Sequence, residues 1–497
     1  MAVSFFDTSL LKFAFMLGVP NKKGEECKMK RPAQRRSAAL VLPALMMALL
    51  VPAAALAGCV PAGEETPPAA TGPESPEESP EKTPAEPAQE TGEENSGLSG
   101  TAAPAPIPPE GDYADLSGFS PSGEVEGLAD RSGISGYGSD TGYYSFRLRE
   151  DASASLCYLD YASGREIVLC SQPNCAHDSD ACPAWYPFAN GLRAVPVGDR
   201  LIVLQGGSPN YADLLGAQAV PKVEVMEPDG SDRQETFAFP ASCWVSTLPR
   251  GGFARDDRYL YFTVTDQSAG ANARTLCAAD GEGNVFALCA LPEDEERIAG
   301  GDGGALILTC MPGSSDLSGQ DYVTQVLRLD LEQMQMATLF SYPAEALGVC
   351  GQGAYYVLDG QTLQGYSLTD GSKLSDVAVD NPGIQTLYGV FDGRLLASGY
   401  TREGEPLCYA LDVETGERTD LPYIFREDGT VAFGEILAQA GDRFVCVAGV
   451  QSDAVTYPAQ SGEEPMRTSW LSPAYALVDH ADFWAGSPMQ AIPRPVK

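Results

Sequence analysis

The 497-residue sequence has only two histidines, His177 and His480. Hydrolysis by a serine nucleophile needs a histidine beside the serine and an acid behind the histidine. His177 lies among cysteines, and His480 follows the turn residue Asp479, where a surface role is expected. The Gly-x-Ser-x-Gly motif that exposes a nucleophilic serine after a strand is also absent from the sequence. We therefore predict no catalytic residue.

Basic residues are few as well. The chain has 32 Lys and Arg against 68 Asp and Glu, which gives a net charge of −36. A surface of this sign repels phosphate backbones and anionic lipid headgroups. Binding to nucleic acid or to a membrane surface is therefore not expected. The excess of acid is interpreted as a solvated surface, with calcium or a basic partner as the alternatives.

Long apolar runs are missing except near the N-terminus. Four basic residues at positions 30–36 precede an apolar run over 38–56, and the run ends in Leu56-Ala57-Gly58-Cys59. This order of a basic stretch, an apolar run and small residues before a cysteine resembles a bacterial lipoprotein signal peptide. Residues 29–58 are predicted to be that signal peptide.

Cys59 is then the predicted lipid-modified N-terminus of the mature protein. The chain after it is expected to be extracytoplasmic and held at the cell membrane through the lipid alone. An uncleaved membrane anchor is the alternative, which Pro43 and Pro52 within the apolar run disfavour. Residues 1–28 precede the signal and are expected to be untranslated or removed.

Large apolar side chains are also scarce over residues 60–110. This stretch holds eleven Glu and one Lys among many Pro, Ala, Thr and Ser residues. Low hydrophobicity and like charge cannot offset the entropy cost of ordering a chain. Residues 59–110 are therefore predicted to be a disordered tether, and residues 111–497 to be the folded domain.

A repeated pattern of strand, Asp, turn and strand fills the folded part. Its clearest copy is Leu407-Cys408-Tyr409-Ala410-Leu411-Asp412-Val413-Glu414-Thr415-Gly416. The strands that end in this way are spaced about 40–70 residues apart, at Asp160, Asp229, Asp280, Asp330, Asp370, Asp412 and Asp479. Four strands at that period indicate a propeller blade.

The pattern predicts an all-β chain, a β-propeller of seven blades made of four-stranded antiparallel sheets. Six blades are the alternative, if the first unit is only a closing strand. No amphipathic helix longer than two turns is evident in the sequence. The repeated Asp is expected to cap the turn after its strand by accepting backbone N–H bonds. A metal site built from inward-facing carboxylates is the alternative.

Three thiols and one imidazole lie within thirteen residues, at Cys170, Cys175, His177 and Cys182. Three cysteines and a histidine satisfy tetrahedral zinc, and a site closed by four protein ligands is structural. A disulfide within the loop is the rival interpretation, because an extracytoplasmic location permits it. Free thiols are the third. A structural zinc ion is the only cofactor that the sequence indicates.

Extra residues lengthen the first, second and last units at about 171–191, 207–222 and 450–472. Loops on the faces of a propeller carry its binding surfaces, and these three units are neighbours once the ring closes. Four aromatic residues are predicted to form a binding surface there, namely Trp185, Tyr186, Tyr211 and Trp470. The alternative is that they pack the loops against the blades.

The lipobox, the acidic tether, the strand–Asp–turn–Gly units and the Cys/His cluster together resemble lipoproteins of Gram-positive, Clostridia-like anaerobes. In these, the exposed part is similar to a TolB-like or quinoprotein-like β-propeller. The resemblance implies a surface-displayed propeller used as a platform for binding.

The predicted function is a non-enzymatic binding or scaffolding module for a protein or glycan of the envelope or surroundings. The alternative is a propeller-fold hydrolase or lyase acting on glycans through carboxylates in the central funnel, since that chemistry needs only two acids. A structural component of a lipoprotein assembly is a third hypothesis.

Overall fold

Strands make up nearly all of the regular structure in the computed structural model of the protein. The structure describes residues 100–128, 136–189, 191–209, 212–246, 252–268, 272–291, 297–312, 322–351, 353–457 and 464–495. Cys59, Tyr211 and the predicted signal peptide therefore lie outside the described residues. Short helical segments are α1 (Ala212–Leu215), α2 (His480–Trp484), and the 3-10 turns Leu116–Gly118 and Gly216–Gln218. None of the described helices combines the length and the hydropathy that crossing a bilayer requires.

The strands form seven successive antiparallel blades, as predicted. Two short strands precede them, β1 (Thr101–Ala102) and β2 (Glu126–Leu128). Blade 1 contains β3 (Gly136–Gly138), β4 (Gly142–Leu148), β5 (Ala154–Asp160), β6 (Arg165–Val168) and β7 (Trp185–Tyr186). Blade 2 contains β8 (Arg193–Val197), β9 (Arg200–Gln205), β10 (Lys222–Met226) and β11 (Gln234–Ala238). Blade 3 contains β12 (Cys243–Val245), β13 (Phe253–Arg255), β14 (Tyr259–Asp266), β15 (Ala273–Asp280) and β16 (Val285–Ala290).

Blade 4 contains β17 (Arg297–Asp302), β18 (Ala305–Cys310), β19 (Val323–Asp330) and β20 (Gln335–Pro343). Blade 5 contains β21 (Leu347–Gly351), β22 (Ala354–Asp359), β23 (Thr362–Ser367) and β24 (Lys373–Ala378). Blade 6 contains β25 (Ile384–Phe391), β26 (Arg394–Tyr400), β27 (Pro406–Asp412) and β28 (Arg418–Asp420). A hairpin of β29 (Ile424–Glu427) and β30 (Thr430–Phe433) leads to blade 7, which contains β31 (Ile436–Ala440), β32 (Arg443–Tyr457) and β33 (Met466–Asp479).

The core is divided among the seven interfaces between neighbouring blades. Seven clusters of buried apolar side chains each join two successive blades. Leu156 of blade 1 packs with Val203 of blade 2, for example, and Tyr143 of blade 1 packs with Val445 of blade 7. Because the clusters run all the way round, the blades close into a ring. The six-bladed alternative is therefore wrong.

The last blade departs from the predicted four strands. Among the described residues, blade 7 has three strands, and no strand passes between it and blade 1. Side chains close the ring instead. Arg147 of β4 donates from Nε and Nη2 to the two carboxylate oxygens of Glu166, at 2.7 Å each, and from Nη1 to the carbonyl of Pro473. Its guanidinium carbon also lies 4.3 Å from the centre of the Tyr475 ring.

Six of the seven repeated Asp residues, including Asp229, cap turns as predicted, whereas Asp479 forms no capping hydrogen bond through its side chain. Asp412 Oδ1 accepts the backbone N–H groups of Glu414 at 3.1 Å and Thr415 at 2.8 Å. Gly416 then has φ +74°, and a Cβ there would lie 2.3 Å from the carbonyl oxygen of Ala378. Glycine is therefore favoured at this position, because it adopts a positive φ readily and has no Cβ to clash with the Ala378 carbonyl. The same backbone bonding to the carboxylate occurs at Asp160, Asp280, Asp330 and Asp370.

Contacts of the N-terminal segment with the propeller begin at Thr101, ahead of the predicted boundary at residue 111. β1 pairs with β20 at the outer edge of blade 4. The carbonyl of Ile107 accepts from Thr275 Oγ1 of blade 3 at 2.9 Å. The Tyr113 ring packs at a tilt against that of Phe237 of blade 2, with ring centres 5.0 Å apart. The segment thus runs along the outside of three blades.

β2 lies at the centre of the ring. It pairs with β13, the innermost strand of blade 3, on the side away from the rest of that blade. A Cβ on Gly127 would lie 2.5 Å from Gly300 of β17, the innermost strand of blade 4. The missing side chain at Gly127 therefore lets the two backbones approach each other closely.

Candidate metal centre and adjoining cavity

The loop after β6 brings the predicted cysteines and histidine together. The chain leaves the sheet after Val168 and returns at β7. Within the loop, Asn174 has φ 56° and His177 has φ 54°, both in the left-handed region. That region is rare for residues other than glycine but is enriched in Asn and His. The two bends turn the loop back on itself.

The four candidate ligands converge on one point. The ligand atoms of Cys170, Cys175, His177 and Cys182 all lie within 4.8 Å of one another. His177 Nδ1 lies 3.3 Å from Cys182 Sγ. Zinc bonds of about 2.3 Å to sulfur and about 2.0 Å to nitrogen, at tetrahedral angles, separate ligand atoms by roughly 3.5–3.8 Å. The arrangement needs only small side-chain adjustments to hold such an ion.

Two of the thiols have opposite electrostatic surroundings. The backbone N–H of His177 lies 3.4 Å from Cys175 Sγ and lowers the pKa of that thiol. Burial raises the pKa of the Cys182 thiol to about 12. A buried thiol gives up its proton when a nearby cation compensates the thiolate charge, and a bound metal ion does so. The described cysteines are all free thiols.

Arg233 of blade 2 holds the end of this loop. Its Nη1 donates to the carbonyls of Pro183 at 3.2 Å and Trp185 at 2.8 Å. The guanidinium lies 3.8 Å from the centre of the Tyr186 ring and forms two hydrogen bonds with Glu224, at 2.9 and 3.0 Å. The Glu224 side chain is only 4% exposed. The loop is therefore attached to a buried ion pair in the next blade.

Replacing Arg233 with glutamine should lower the free energy of unfolding by about 3 kcal/mol, because it leaves Glu224 buried with only Lys222 nearby. It should also speed proteolysis within residues 171–184. Urea denaturation and limited proteolysis measure the two effects. The control is Arg418→Gln, since Arg418 also lies over a tyrosine but pairs with carboxylates that are 83% and 69% exposed. Equal destabilisation by both variants would contradict the role given to Arg233.

A cavity of about 140 Å³ adjoins the metal loop, where blade 1 meets the long hairpin of blade 7. Arginines, acids and the loop itself line it. The lining includes Arg147, Arg149, Glu150, Ala176, His177, Asp453, Ser472 and Arg494. The backbone N–H of Thr456 donates to the carbonyl of Glu150 at 2.7 Å, which fixes the hairpin to blade 1.

Two of the three arginines keep donors that no described group uses. Arg494 donates from Nη1 to Asp453 Oδ2 at 2.8 Å and from Nη2 to the carbonyl of Ser472 at 3.1 Å. Its Nε is buried, with no hydrogen-bond partner among the described residues. Arg149 donates from Nη1 to the carbonyl of His177 at 3.1 Å, and no described carboxylate forms an ion pair with it. The cavity wall therefore carries the positive charges of Arg149 and Arg494, next to Asp453 and Glu150.

The predicted aromatic residues fall in different environments. Tyr186 is fully buried between Phe146 and Arg233, so it packs the loop down and presents no binding surface. Trp185 is half-buried in β7. Trp470 lies directly opposite Asp453 in the hairpin of blade 7, and such pairs share a face of the sheet. Of the predicted aromatics that the structure describes, Trp470 is the one paired across the strands with a residue of the cavity wall.

His480 does not lie on an open surface turn. It begins α2, its ring stacks on Phe444 with centres 3.6 Å apart, and its Nδ1 lies 3.0 Å from Asp392 Oδ2. Its Nε2 is buried without a hydrogen-bond partner among the described residues. A histidine and an acid are thus paired, but no described serine is bonded to the imidazole. The pair does not form a nucleophilic triad.

Three solved structures illustrate what the chain is similar to. No protein-family model matches the chain, and no curated protein matches it significantly. A puromycin hydrolase mutant bound to PGG has a TM-score of 0.42 and 14% identity, covering 74% of this chain and 55% of its own. The β-propeller domain of the Trilobed protease from Pyrococcus furiosus has a TM-score of 0.38 and 10% identity, covering 72% and 96%. TolB from Acinetobacter baumannii has a TM-score of 0.30 and 12% identity, covering 67% and 81%.

The β-propeller that the resemblance implied is shown by the seven blades of the structure itself. The functional prediction is corrected. Solved structures similar to this chain include several peptidases, of which the chain spans between half and two thirds of the length. The predicted non-enzymatic binding or scaffolding module, with its glycan-active alternative, is contradicted by that finding. At these identities the likeness shows the fold alone.

Proposed function

We propose that the cavity binds a short peptide through its terminal carboxylate and that the chain has a peptidase-like function. The observation that carries this proposal is the placement of the Arg149 and Arg494 side chains in the wall of one small cavity. Guanidinium groups bind carboxylates with charge-assisted hydrogen bonds, which are about twice as strong as neutral ones.

The size and charge of the cavity favour a peptide end over other anions. An engineered cavity of about 150 Å³ holds a benzene-sized molecule, so this one takes roughly one residue of a ligand. Asp453 and Glu150 stand beside the arginines. Their negative charges offset part of the positive charge, which suits a singly charged carboxylate better than a phosphate.

The chemistry of cleavage is not located at this cavity. The described residues contain no serine, histidine and acid in hydrogen-bonded sequence, and His480 Nε2 is enclosed. A Cys₃His metal site has no open position for a reactive water. The propeller is therefore proposed to hold the peptide, and no described residue is assigned a part in cutting the bond.

The test compares a pool of tripeptides with free C-termini against the same pool amidated. The full chain should bind the free acids, and Arg494→Gln should weaken that binding about tenfold or more, as expected for a lost hydrogen bond to a charged group. Isothermal titration calorimetry measures the affinities, and mass spectrometry follows cleavage. Arg402→Gln is the control, because Arg402 lies on an exposed turn away from the cavity. Equal binding of acids and amides would refute the proposal.

The location of the protein stays a proposal as well. Lipidation at Cys59 and a Gram-positive lipoprotein origin are supported by the lipobox sequence and the acidic stretch that follows it. In this proposal the mature chain is extracytoplasmic, contacts the membrane through its lipid and binds no nucleic acid. Mass spectrometry of the N-terminal peptide from cells would identify a diacylglyceryl cysteine or exclude it.

A further inference from the structure

We infer that Cys170, Cys175, His177 and Cys182 bind one zinc ion and that this ion sets the affinity of the cavity for its ligand. The inference deepens the proposed function and rests on it for the second part. The metal loop and the cavity share residues, and the loop geometry depends on what the four side chains bind.

The donor atoms of the four candidate ligands favour zinc. Three sulfur donors and one imidazole form a soft set that suits zinc and is a poor match for calcium or magnesium, which prefer oxygen. All four ligand atoms come from one loop and lie within 4.8 Å of one another. The segment Leu169–Cys182 has fourteen residues and no regular secondary structure. An ion bound there would link side chains from both of its ends.

His177 connects the candidate metal site to the cavity. His177 supplies a ring nitrogen to the candidate metal site, and its own carbonyl accepts the hydrogen bond from Arg149 Nη1. Ala176 and His177 are also part of the cavity wall. Any rearrangement that moves the His177 ring away from the sulfur atoms therefore moves the acceptor that orients Arg149.

The loop depends on the bound ion to keep this shape. Non-glycine residues in the left-handed region cost of order 1 kcal/mol or more each, and Asn174 and His177 both adopt it. Arg233 fixes the end of the loop at Pro183 and Trp185, beyond the candidate ligands. Without the ion, the segment around Asn174 and His177 can relax, and the wall of the cavity is lost.

The experiment uses the full chain, purified under anaerobic conditions without added reductant, so that a disulfide present in the protein is retained. Zinc is measured by mass spectrometry and free thiols by a colorimetric assay. Binding of the free-acid tripeptide pool is then measured before chelation, after chelation, and after adding back zinc, magnesium or calcium. We expect one zinc per chain and at least tenfold weaker binding without it, restored by zinc alone. Cys182→Ser should reproduce the chelated state, whereas Cys350→Ala, outside the cluster, should not.

The possible results test the metal site, its link to the cavity and the proposed function separately. Substoichiometric zinc, with fewer free thiols than cysteines, overturns the metal site in favour of a disulfide. Stoichiometric zinc with unchanged peptide affinity after chelation overturns the link to the cavity. If the zinc-loaded chain binds no free-acid peptide, the proposed function and the link both fail, while one zinc per chain still supports the metal site. Arg494→Gln, which leaves the four ligands intact, should bind zinc normally and lose only the peptide.

Discussion

Replacing Glu166 with alanine is expected to lower the free energy of unfolding by about 3–5 kcal/mol. The Glu166 side chain is 1% exposed and takes both hydrogen bonds from Arg147 at the seam between blades 1 and 7. Its removal leaves a guanidinium without its counter-charge at a site from which water is largely excluded. Urea denaturation followed by circular dichroism measures the change.

The control for this variant is an exposed ion pair. Lys373 and Asp376 pair on the edge strand of blade 5, where their side chains are 41% and 52% exposed. Asp376→Ala should change stability by less than about 1 kcal/mol, because surface pairs contribute little. If Glu166→Ala were as mild as this control, the seam would not depend on the Arg147–Glu166 pair.

Replacing Phe444 with alanine is expected to cost about 3–5 kcal/mol through the cavity that it leaves. Phe444 is fully buried between blades 6 and 7, and its ring contacts those of His480, Phe483 and Trp484. The loss therefore removes packing from α2 as well as from the blade interface. Thermal and urea unfolding of the full chain measure the change.

Leu374→Ala is the matched apolar control, since Leu374 is 60% exposed on the edge strand of blade 5. It should be close to neutral, because little apolar area is returned to water. A loss below about 1 kcal/mol for Phe444→Ala would mean that α2 and its neighbours collapse into the space, contrary to the rigid packing of this interface.

The repeats could be predicted from sequence because their causes are local. The alternation in Leu407–Leu411 selects a strand, and Asp412 and Gly416 fix the turn through bonds to atoms within four residues. Seven such units lead directly to seven blades. The number of blades could be predicted because local hydrogen bonding and periodicity can be read from a single sequence.

The ordered part of the predicted tether was missed for the opposite reason. Residues 101–110 have a composition typical of disorder, yet backbone groups hold them against the blades. The N–H of Ala103 donates to the carbonyl of Met334 at 2.9 Å, and the carbonyl of Pro104 accepts from Ala290 at 3.2 Å. Bonds between backbone groups leave no trace in side-chain composition, so the boundary could not be placed from sequence.

One part of the candidate site could be predicted from the sequence and the other could not. The Cys/His cluster was visible because its members lie within thirteen residues. The cavity was not, because Arg147 and Arg149 belong to the first blade and Arg494 to the C-terminal segment. The available signal was the pair of arginines two positions apart at the end of β4, which alone does not predict a site. Scarce histidine led to the wrong functional class because it excludes only one kind of catalysis.

The side-chain seam has a consequence for how the molecule forms. The bond from Arg147 to the carbonyl of Pro473 joins residues 326 positions apart, whereas the partners within each blade are near neighbours in the chain. Contacts of high sequence separation form late, because the entropy of closing a long loop must be offset first. During synthesis, blades 1 to 6 can assemble in order as they emerge. Arg147 and Tyr143 of the first blade then stay exposed until blade 7 is synthesised. We therefore expect ring closure to be the slow step of folding.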